Sequence, residues 1–208
     1  MERTPPERAA FAEESASAPA RAVARWAVAA GDNEALPFVI VDKVAAKLFL
    51  FDRDGGLRAS TVVLVGLARG DVSPPGIGNR KLSQIAPAER ITPAGRFVGE
   101  KGTNLAGRGI VWVDYDSAIA IHRVTDVKPG TTARDRLTRL SSVSPSDRRI
   151  SLGCINVSEA FYDAYIRPTF DASSAVVYIL PEARALKDVF AMPAALTVTI
   201  AAAEPARS

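Results

Sequence analysis

Apolar residues recur at two different spacings along the chain, and the first is helical. Within residues 20–30, apolar side chains such as Val23 and Trp26 lie three or four positions apart, as on one face of a helix. A glycine and an aspartate follow, which is typical of a helix end. We predict an N-terminal helix within residues 19–36. The preceding polar segment, residues 1–18, is poor in hydrophobic and β-branched residues and is predicted to be a disordered tail.

After residue 36 the spacing changes to that of β-strands. Short apolar or alternating runs, bounded by glycine, proline or aspartate, are typical of strands. They occupy residues 37–43, 46–52, 57–66, 95–100, 109–115, 117–124, 175–180 and 194–203. Residues 37–203 are therefore predicted to form one mainly β domain, a sandwich or barrel with a few short peripheral helices and long loops.

Two long irregular stretches and one short helix complete the pattern. Glycines and prolines break any regular spacing in residues 69–94, and residues 125–148 form a second irregular piece that is rich in arginine. Loops of this length in a compact domain are often lids or binding loops. A short helix is predicted to begin at Ser158, a suitable N-cap, and to run to Arg167, where Pro168 ends it.

Composition and charge narrow the classes of function. The chain has 208 residues, of which 48% are hydrophobic and 24% charged, as in a single globular domain. Its net charge of +3 is spread along the chain, whereas nucleic-acid binders concentrate basic residues on one face, so no nucleic-acid partner is predicted. No apolar run reaches the roughly 20 residues that span a bilayer, and no secretory signal is visible near the start. One cysteine and one histidine exclude an internal disulfide and a Cys/His zinc site, and neither a metal nor an organic cofactor is predicted.

That cysteine and that histidine are the candidate chemistry. Cys154 follows Gly153 in the segment RISLGCINV (149–157), which we interpret as a strand end that leads into the helix beginning at Ser158. There a thiolate would be stabilised and a substrate carbonyl could approach the backbone. The N–H groups of both residues could then form an oxyanion hole. His122 ends a strand, on the face opposite Ile121, and is the only imidazole available as a base. The alternatives are a buried hydrophobic cysteine and a structural histidine; the two catalytic assignments depend on each other.

Three segments in the same order resemble the L,D-transpeptidase (YkuD-domain) family. The family's signature is a histidine, a spacer, and then Ser/Thr-x-Gly-Cys with Asn or Arg one residue later. The matching positions here are His122, Ser151, Gly153, Cys154 and Asn156. Residues 39–57 resemble the family's opening hairpin, and ITPAGRF at 91–97 resembles its Thr-Pro-x-Gly-x-Phe segment. The resemblance covers roughly residues 37–181.

The resemblance assigns catalytic roles to four residues. It implies Cys154 as nucleophile, His122 as proton donor and acceptor, and the backbone of Gly153 as a donor to the oxyanion. Position 152 is Leu where many members have a second histidine, but the backbone carbonyl of Leu152 could still orient the imidazole as the third group of a triad. The spacer between His122 and the Ser-x-Gly-Cys segment is longer than is usual in the family, which implies an arginine-rich flap over the site.

Four further residues are candidates for substrate binding. Asn156 and Ser151 belong to the signature segment; an asparagine there either shapes the turn or contacts substrate. Arg123 and Arg149 flank the site in sequence and could meet substrate carboxylates. The alternative for both arginines is a solvated surface position.

The implied activity is peptidoglycan L,D-transpeptidation. Cys154 would form a thioester with a stem peptide, and the acyl group would pass to an amine acceptor. With water as acceptor the same intermediate gives an L,D-carboxypeptidase, and an inert cysteine would leave a non-catalytic cell-wall binding module on the same fold. A papain-like protease would also use Cys and His, but no flanking segment resembles one. The expected partners are peptidoglycan stem peptides, and the expected location is the periplasm or cell envelope.

Overall fold

A large, nearly closed β-sheet forms the body of the protein. The computed structural model describes residues 15–124 and 132–193, with the backbone alone described at 132–134. In chain order the strands are β1 (Phe38–Asp42), β2 (Lys47–Phe51), β3 (Leu57–Val62), β4 (Val65–Gly66), β5 (Gly95–Thr103), β6 (Gly109–Asp114), β7 (Ile119–Arg123), β8 (Arg149–Ser151), β9 (Ile155–Val157) and β10 (Ala175–Ile179). The prediction of a mainly β fold is confirmed.

Eight of these strands make one sheet, in the order β3-β2-β1-β10-β5-β6-β7-β9, and β4 pairs with β8. The β1–β10, β7–β9 and β4–β8 pairs are parallel, and the other pairs are antiparallel. The chain just after β3 reaches the far edge strand, where Leu64 and Asn156 exchange two backbone hydrogen bonds of 2.9 and 3.0 Å. This contact brings the two edges of the sheet together beside β7 and β9, and we call the line where they meet the seam.

Both faces of the central strands are buried, which explains their near-continuous apolar sequences. One face packs in a cluster that includes Val39, Ile121 and Ile155. The other packs against the N-terminal helix through a cluster that includes Phe38 and Tyr178. The second cluster anchors the helix to the sheet.

The N-terminal helix, α1 (Ala18–Ala29), begins and ends where its sequence indicates. The side chain of Ser17 accepts a hydrogen bond from the N–H of Ala20 and caps the first turn. The helix ends just before Gly31, the glycine that marked its end in the sequence, which takes a left-handed φ of 68° and turns the chain; residues 31–36 of the predicted segment lie beyond the helix. Residues 1–14 of the predicted tail and residues 194–208, which include the last predicted strand, lie outside the described residues.

The helix after β9 continues past Pro168, where it was predicted to end. Ser158 caps it, as predicted, by accepting from the N–H of Phe161 at 3.2 Å. It then runs as α3 (Glu159–Phe161), a π-helical turn (Tyr162–Ile166) and α4 (Arg167–Ala172). Proline lies in the first turn of α4, where a missing N–H costs least, and the wider π-turn shifts the hydrogen-bond register just before it.

The two long loops differ from each other. Residues 69–94 hold three short 3₁₀ turns and are otherwise irregular, as predicted. In the second stretch, the irregular prediction is wrong for residues 132–140, which form the helix α2 (Thr132–Leu140). Leu140 at the end of α2 is buried with Leu64 and Val124, so this helix is held against the sheet seam by apolar contact. No helix in the described part of the chain is long and apolar enough to cross a bilayer.

Candidate active site

A cavity of about 280 Å³ opens beside the seam of the sheet and brings the candidate cysteine and histidine together. Of the residues predicted from sequence, its walls include Ser151, Leu152, Cys154, Asn156 and His122. The parallel β7–β9 pairing explains this: His122 lies opposite Asn156 in the register, and Cys154 comes two residues before Asn156. Residues far apart in the chain therefore meet at one place.

The turn that carries Cys154 is fixed by hydrogen bonds on both sides. Ser151 Oγ donates to the carbonyl of Cys154 at 2.6 Å and accepts from the N–H of Gly153 at 3.1 Å. Gly153 has a φ of 133°, and a Cβ there would lie 2.8 Å from the carbonyl oxygen of Ile91. This position therefore requires glycine.

One buried threonine, which sequence reasoning did not single out, holds this turn in place. The hydroxyl of Thr92 donates to the carbonyl of Gly153 at 2.7 Å and accepts from the N–H of Gly66 at 2.8 Å. Thr92 is 2% exposed. It belongs to the ITPAGRF segment, so the resemblance of that segment to the family already marked this residue. Nothing in the sequence predicted its contact with the turn.

Cys154 does not lie at a helix N-terminus, contrary to the sequence prediction. It lies between β8 and β9, and the following helix begins only after Ser158. Stabilisation of a thiolate by the end of a helix therefore does not apply here. In the described part of the chain the thiol donates to the carbonyl of Ala118, with sulfur and oxygen 3.5 Å apart, and makes no hydrogen bond to the imidazole.

His122 is oriented by two partners, and neither is Leu152. Its Nδ1 lies 2.9 Å from the carbonyl oxygen of Arg123, and its Nε2 lies 2.9 Å from Nδ2 of Asn156. A carbonyl only accepts and an amide nitrogen only donates, so this arrangement fits a neutral ring protonated on Nδ1. The prediction that the Leu152 carbonyl orients the ring is corrected, because the carbonyl of the next residue along the strand is the one within reach.

Asn156 is fully buried and acts on the imidazole from within the wall of the cavity. Its Nδ2 contacts His122, while its Oδ1 has no hydrogen-bond partner among the described residues. In the structure its side chain thus contacts the histidine, a contact that was not predicted, while turn shaping and substrate contact stay predictions. Rotating the amide by half a turn would offer Oδ1 to a protonated Nε2.

Burial keeps both reactive groups in their neutral forms. It lowers the pKa of His122, with the carbonyl of Arg123 acting in the opposite direction and the charge of Arg136 adding to the lowering. It raises the pKa of Cys154, although the N–H of Ala120 and the charge of Arg136 act against that rise. Cys154 retains partial exposure as a residue, but its thiol lies among packed atoms. The resting site therefore holds a thiol and a neutral imidazole.

Neither arginine predicted to bind substrate lies in the cavity wall. Arg149 is buried and pairs with Glu182, while also donating to backbone carbonyls such as that of Lys43. Arg123 pairs with Asp163, and its guanidinium lies 4.0 Å from the ring centroid of Tyr162. Both are held by intramolecular partners.

Two other arginines line the cavity instead. Arg80 comes from the loop of residues 69–94 and is paired with Glu89 at 2.9 Å. Arg136 comes from α2, within the long spacer. The abundance of arginine in that spacer was the only signal in the sequence, and it did not distinguish this residue from its neighbours.

Comparisons with known proteins give similarity in structure only. No family model and no curated protein matches the chain. Among solved structures it is similar to the LD transpeptidase LdtMt1 in complex with imipenem, at 17% identity and a TM-score of 0.40, covering 69% of this chain and 58% of that one. It is also similar to the helical cell shape determining protein Pgp2 (K307A mutant) from Campylobacter jejuni, at 16% identity and a TM-score of 0.45, covering 80% and 55%.

A third similar structure is the catalytic domain of an L,D-transpeptidase from E. faecium, at 18% identity and a TM-score of 0.35. The alignment covers 69% of this chain and 96% of that domain. This chain spans little more than half the length of the first two structures, at 58% and 55%. These likenesses are ones of fold, and they leave the activity to be inferred from the site.

Proposed function

We propose that the chain is a cysteine-dependent acyltransferase with L,D-transpeptidase activity toward peptidoglycan stem peptides. One observation carries the proposal: the thiol of Cys154 and an oriented, neutral imidazole of His122 line the same cavity. A thiol beside a base that is itself held by a third group is the arrangement of nucleophilic catalysis. The Ser-x-Gly-Cys-x-Asn segment and the ITPAGRF segment give the substrate class through their resemblance to L,D-transpeptidases.

In the first half-reaction Cys154 would turn from the Ala118 carbonyl toward the imidazole. Its proton passes to Nε2 of His122 while sulfur attacks the carbonyl carbon between an L-centre and a terminal D-residue. The C–S bond forms and the carbonyl oxygen becomes an oxyanion. The Cys154 N–H is the proposed donor to it, and the Gly153 N–H joins if it leaves Ser151 Oγ. The imidazolium then protonates the leaving nitrogen, the C–N bond breaks, and a thioester remains.

This order of proton transfers gives a role to the contact between His122 and Asn156. In the resting state the Asn156 amide donates to Nε2, so that nitrogen must be released before it can take the thiol proton. Once Nε2 carries a proton, a rotated amide can accept it through Oδ1, which is buried and without a partner among the described residues. Asn156 is thus proposed to stabilise the imidazolium that forms during acylation.

In the second half-reaction an acceptor resolves the thioester. An amine from another stem gives up a proton to His122 and attacks the thioester carbonyl, the C–S bond breaks, and the thiol recovers its proton. With water in place of the amine the product is a free acid, which is the carboxypeptidase alternative. Since these substrates lie outside the cytoplasmic membrane, the proposal places the protein in the cell envelope.

The test is intact-protein mass spectrometry after incubation with a carbapenem, a β-lactam that acylates thiols of this class. We expect one adduct per chain on the wild type and none on Cys154→Ala. His122→Gln should acylate roughly 10²- to 10⁴-fold more slowly, because it loses the general base. Absence of an adduct on folded wild type, or an adduct that survives Cys154→Ala, would reject Cys154 as the nucleophile and favour the non-catalytic module.

A further inference from the structure

Arg136 is a cation that lines the cavity and has no anionic partner in residues 15–124 and 132–193. It lies in the cavity wall with Cys154 and His122, and its charge acts on both groups. Its Nε is buried and has no hydrogen-bond partner, and no carboxylate pairs with it among the described residues. A partly buried charge without a partner is unfavourable in the free protein. A ligand that carries a negative charge would remove that cost.

The surrounding side chains point to the same kind of ligand. Other arginines near the site are already paired: Arg80 with Glu89, and Arg123 with Asp163. Among the described residues, the cavity wall contains no aspartate or glutamate, and much of it is aliphatic, from residues such as Ile77 and Ile85. In the part of the chain that the structure describes, the cavity therefore combines an apolar surface with one cation that no acid neutralises.

We propose that Arg136 binds the free carboxylate of the residue that leaves the acyl donor, and so selects donors that end in a carboxylic acid. This rests on the proposed function. His122 protonates the leaving nitrogen, and in a peptide only one carbon separates that nitrogen from the terminal carboxylate. A cation that acts on His122 is therefore close to where this carboxylate would lie. A guanidinium can bind a carboxylate with two parallel hydrogen bonds, which gives both charge and geometric selection.

The first experiment compares a stem tetrapeptide that ends in D-alanine with the same peptide ending in the D-alanine amide. We expect wild type to prefer the acid. Arg136→Gln should lower kcat/KM for the acid roughly 10- to 100-fold, as expected for loss of a hydrogen bond between charged groups, and should change the amide less than about threefold by the same reasoning. Arg136→Lys should recover part of the loss.

The matched control is Arg139→Gln, on the exposed side of the same helix, where Arg139 donates to the carbonyl of Asp147. It should leave both donors unchanged. An equal loss on acid and amide in Arg136→Gln, or no loss on either, would overturn the proposal, because both results separate Arg136 from the carboxylate.

A second experiment tests the anion site without the proposed reaction. Iodoacetate and iodoacetamide alkylate the same thiol, but only the first carries a carboxylate. The ratio of their rate constants at Cys154 should fall about tenfold in Arg136→Gln, as for the loss of one nearby unit charge at intermediate dielectric, and should not change in Arg139→Gln.

The two experiments separate the two proposals. If the preference for iodoacetate depends on Arg136 but neither a donor peptide nor a carbapenem acylates Cys154, the anion site is supported and the proposed function is rejected. Carbapenem acylation of Cys154 with an unchanged alkylation ratio and no preference for the acid donor keeps the function and rejects the anion site.

Discussion

Replacing Thr92 with valine tests whether the cysteine turn is held by one buried hydroxyl. Valine has nearly the same shape but makes neither of the two bonds, to the Gly153 carbonyl at 2.7 Å and from the Gly66 N–H at 2.8 Å. Both backbone groups would then be buried without a partner, at about 1–3 kcal/mol each. We therefore expect Thr92→Val to lower the free energy of unfolding by roughly 2–6 kcal/mol, a large part of the typical stability of a domain.

Thr92→Ser is the matched control, because it keeps the hydroxyl and removes a methyl group worth about 1 kcal/mol. Urea unfolding gives the two free energies, and the rate of carbapenem adduct formation gives the effect on the site. Thr92→Val should acylate roughly 10- to 100-fold more slowly, because a displaced nucleophile loses its alignment, whereas Thr92→Ser should stay near wild type. If folded Thr92→Val and Thr92→Ser acylate equally fast, the hydroxyl does not position Cys154.

Three other outcomes are expected. Gly153→Ala places a side chain at φ 133° and within 2.8 Å of a backbone carbonyl oxygen. It should lower the free energy of unfolding in urea by about 1–3 kcal/mol and abolish the carbapenem adduct, and a stable variant that still forms the adduct would contradict this. Burial lowers the pKa of His122 below its ordinary 6.5, so the imidazole stays neutral, and able to act as a base, to lower pH. When the rate of single-turnover acylation is plotted against pH, the midpoint of its rise should therefore lie below 6.5. A midpoint at or above that value would refute this expectation. Lys43→Met leaves the buried Asp71, 2.7 Å from the ammonium, without that cation and should cost about 3–5 kcal/mol in urea unfolding, whereas exposed Lys101→Met should be neutral.

The central strands β1, β2 and β10 could be predicted because their sequences are continuous apolar runs that are buried on both faces. The helices after β7 and β9 show where this reasoning fails. The sequence of α2, TARDRLTRL, has few apolar positions. The helix packs on the domain through Leu140, which contacts the cluster of Leu64 and Val124. Its place depends on residues that lie far away in the chain, which a local pattern does not contain. Pro168 ends a helix in most contexts, but a π-turn before it changes the register.

The sequence was enough to predict the reactive cysteine and histidine of the candidate site, but not which charged side chains line it. The motif identified Cys154 and His122, and parallel pairing of β7 and β9 brings them to one cavity. The arginines were assigned by nearness in sequence, yet Arg149 and Arg123 are neutralised by acids 33 and 40 residues away. Charge pairing is set by tertiary structure, so proximity to a motif does not show which cation is free.

The charge of Arg136 also affects the pH at which the imidazole of His122 can act as a base. Together with burial, that charge lowers the pKa of His122. If the carboxylate of a donor pairs with Arg136, its effect on the ring weakens and the pKa of His122 rises toward its ordinary value. Binding of the correct donor would then strengthen the base that takes the thiol proton. The rising limb of acylation against pH should accordingly lie higher with the acid donor than with its amide in wild type, and the two limbs should coincide in Arg136→Gln.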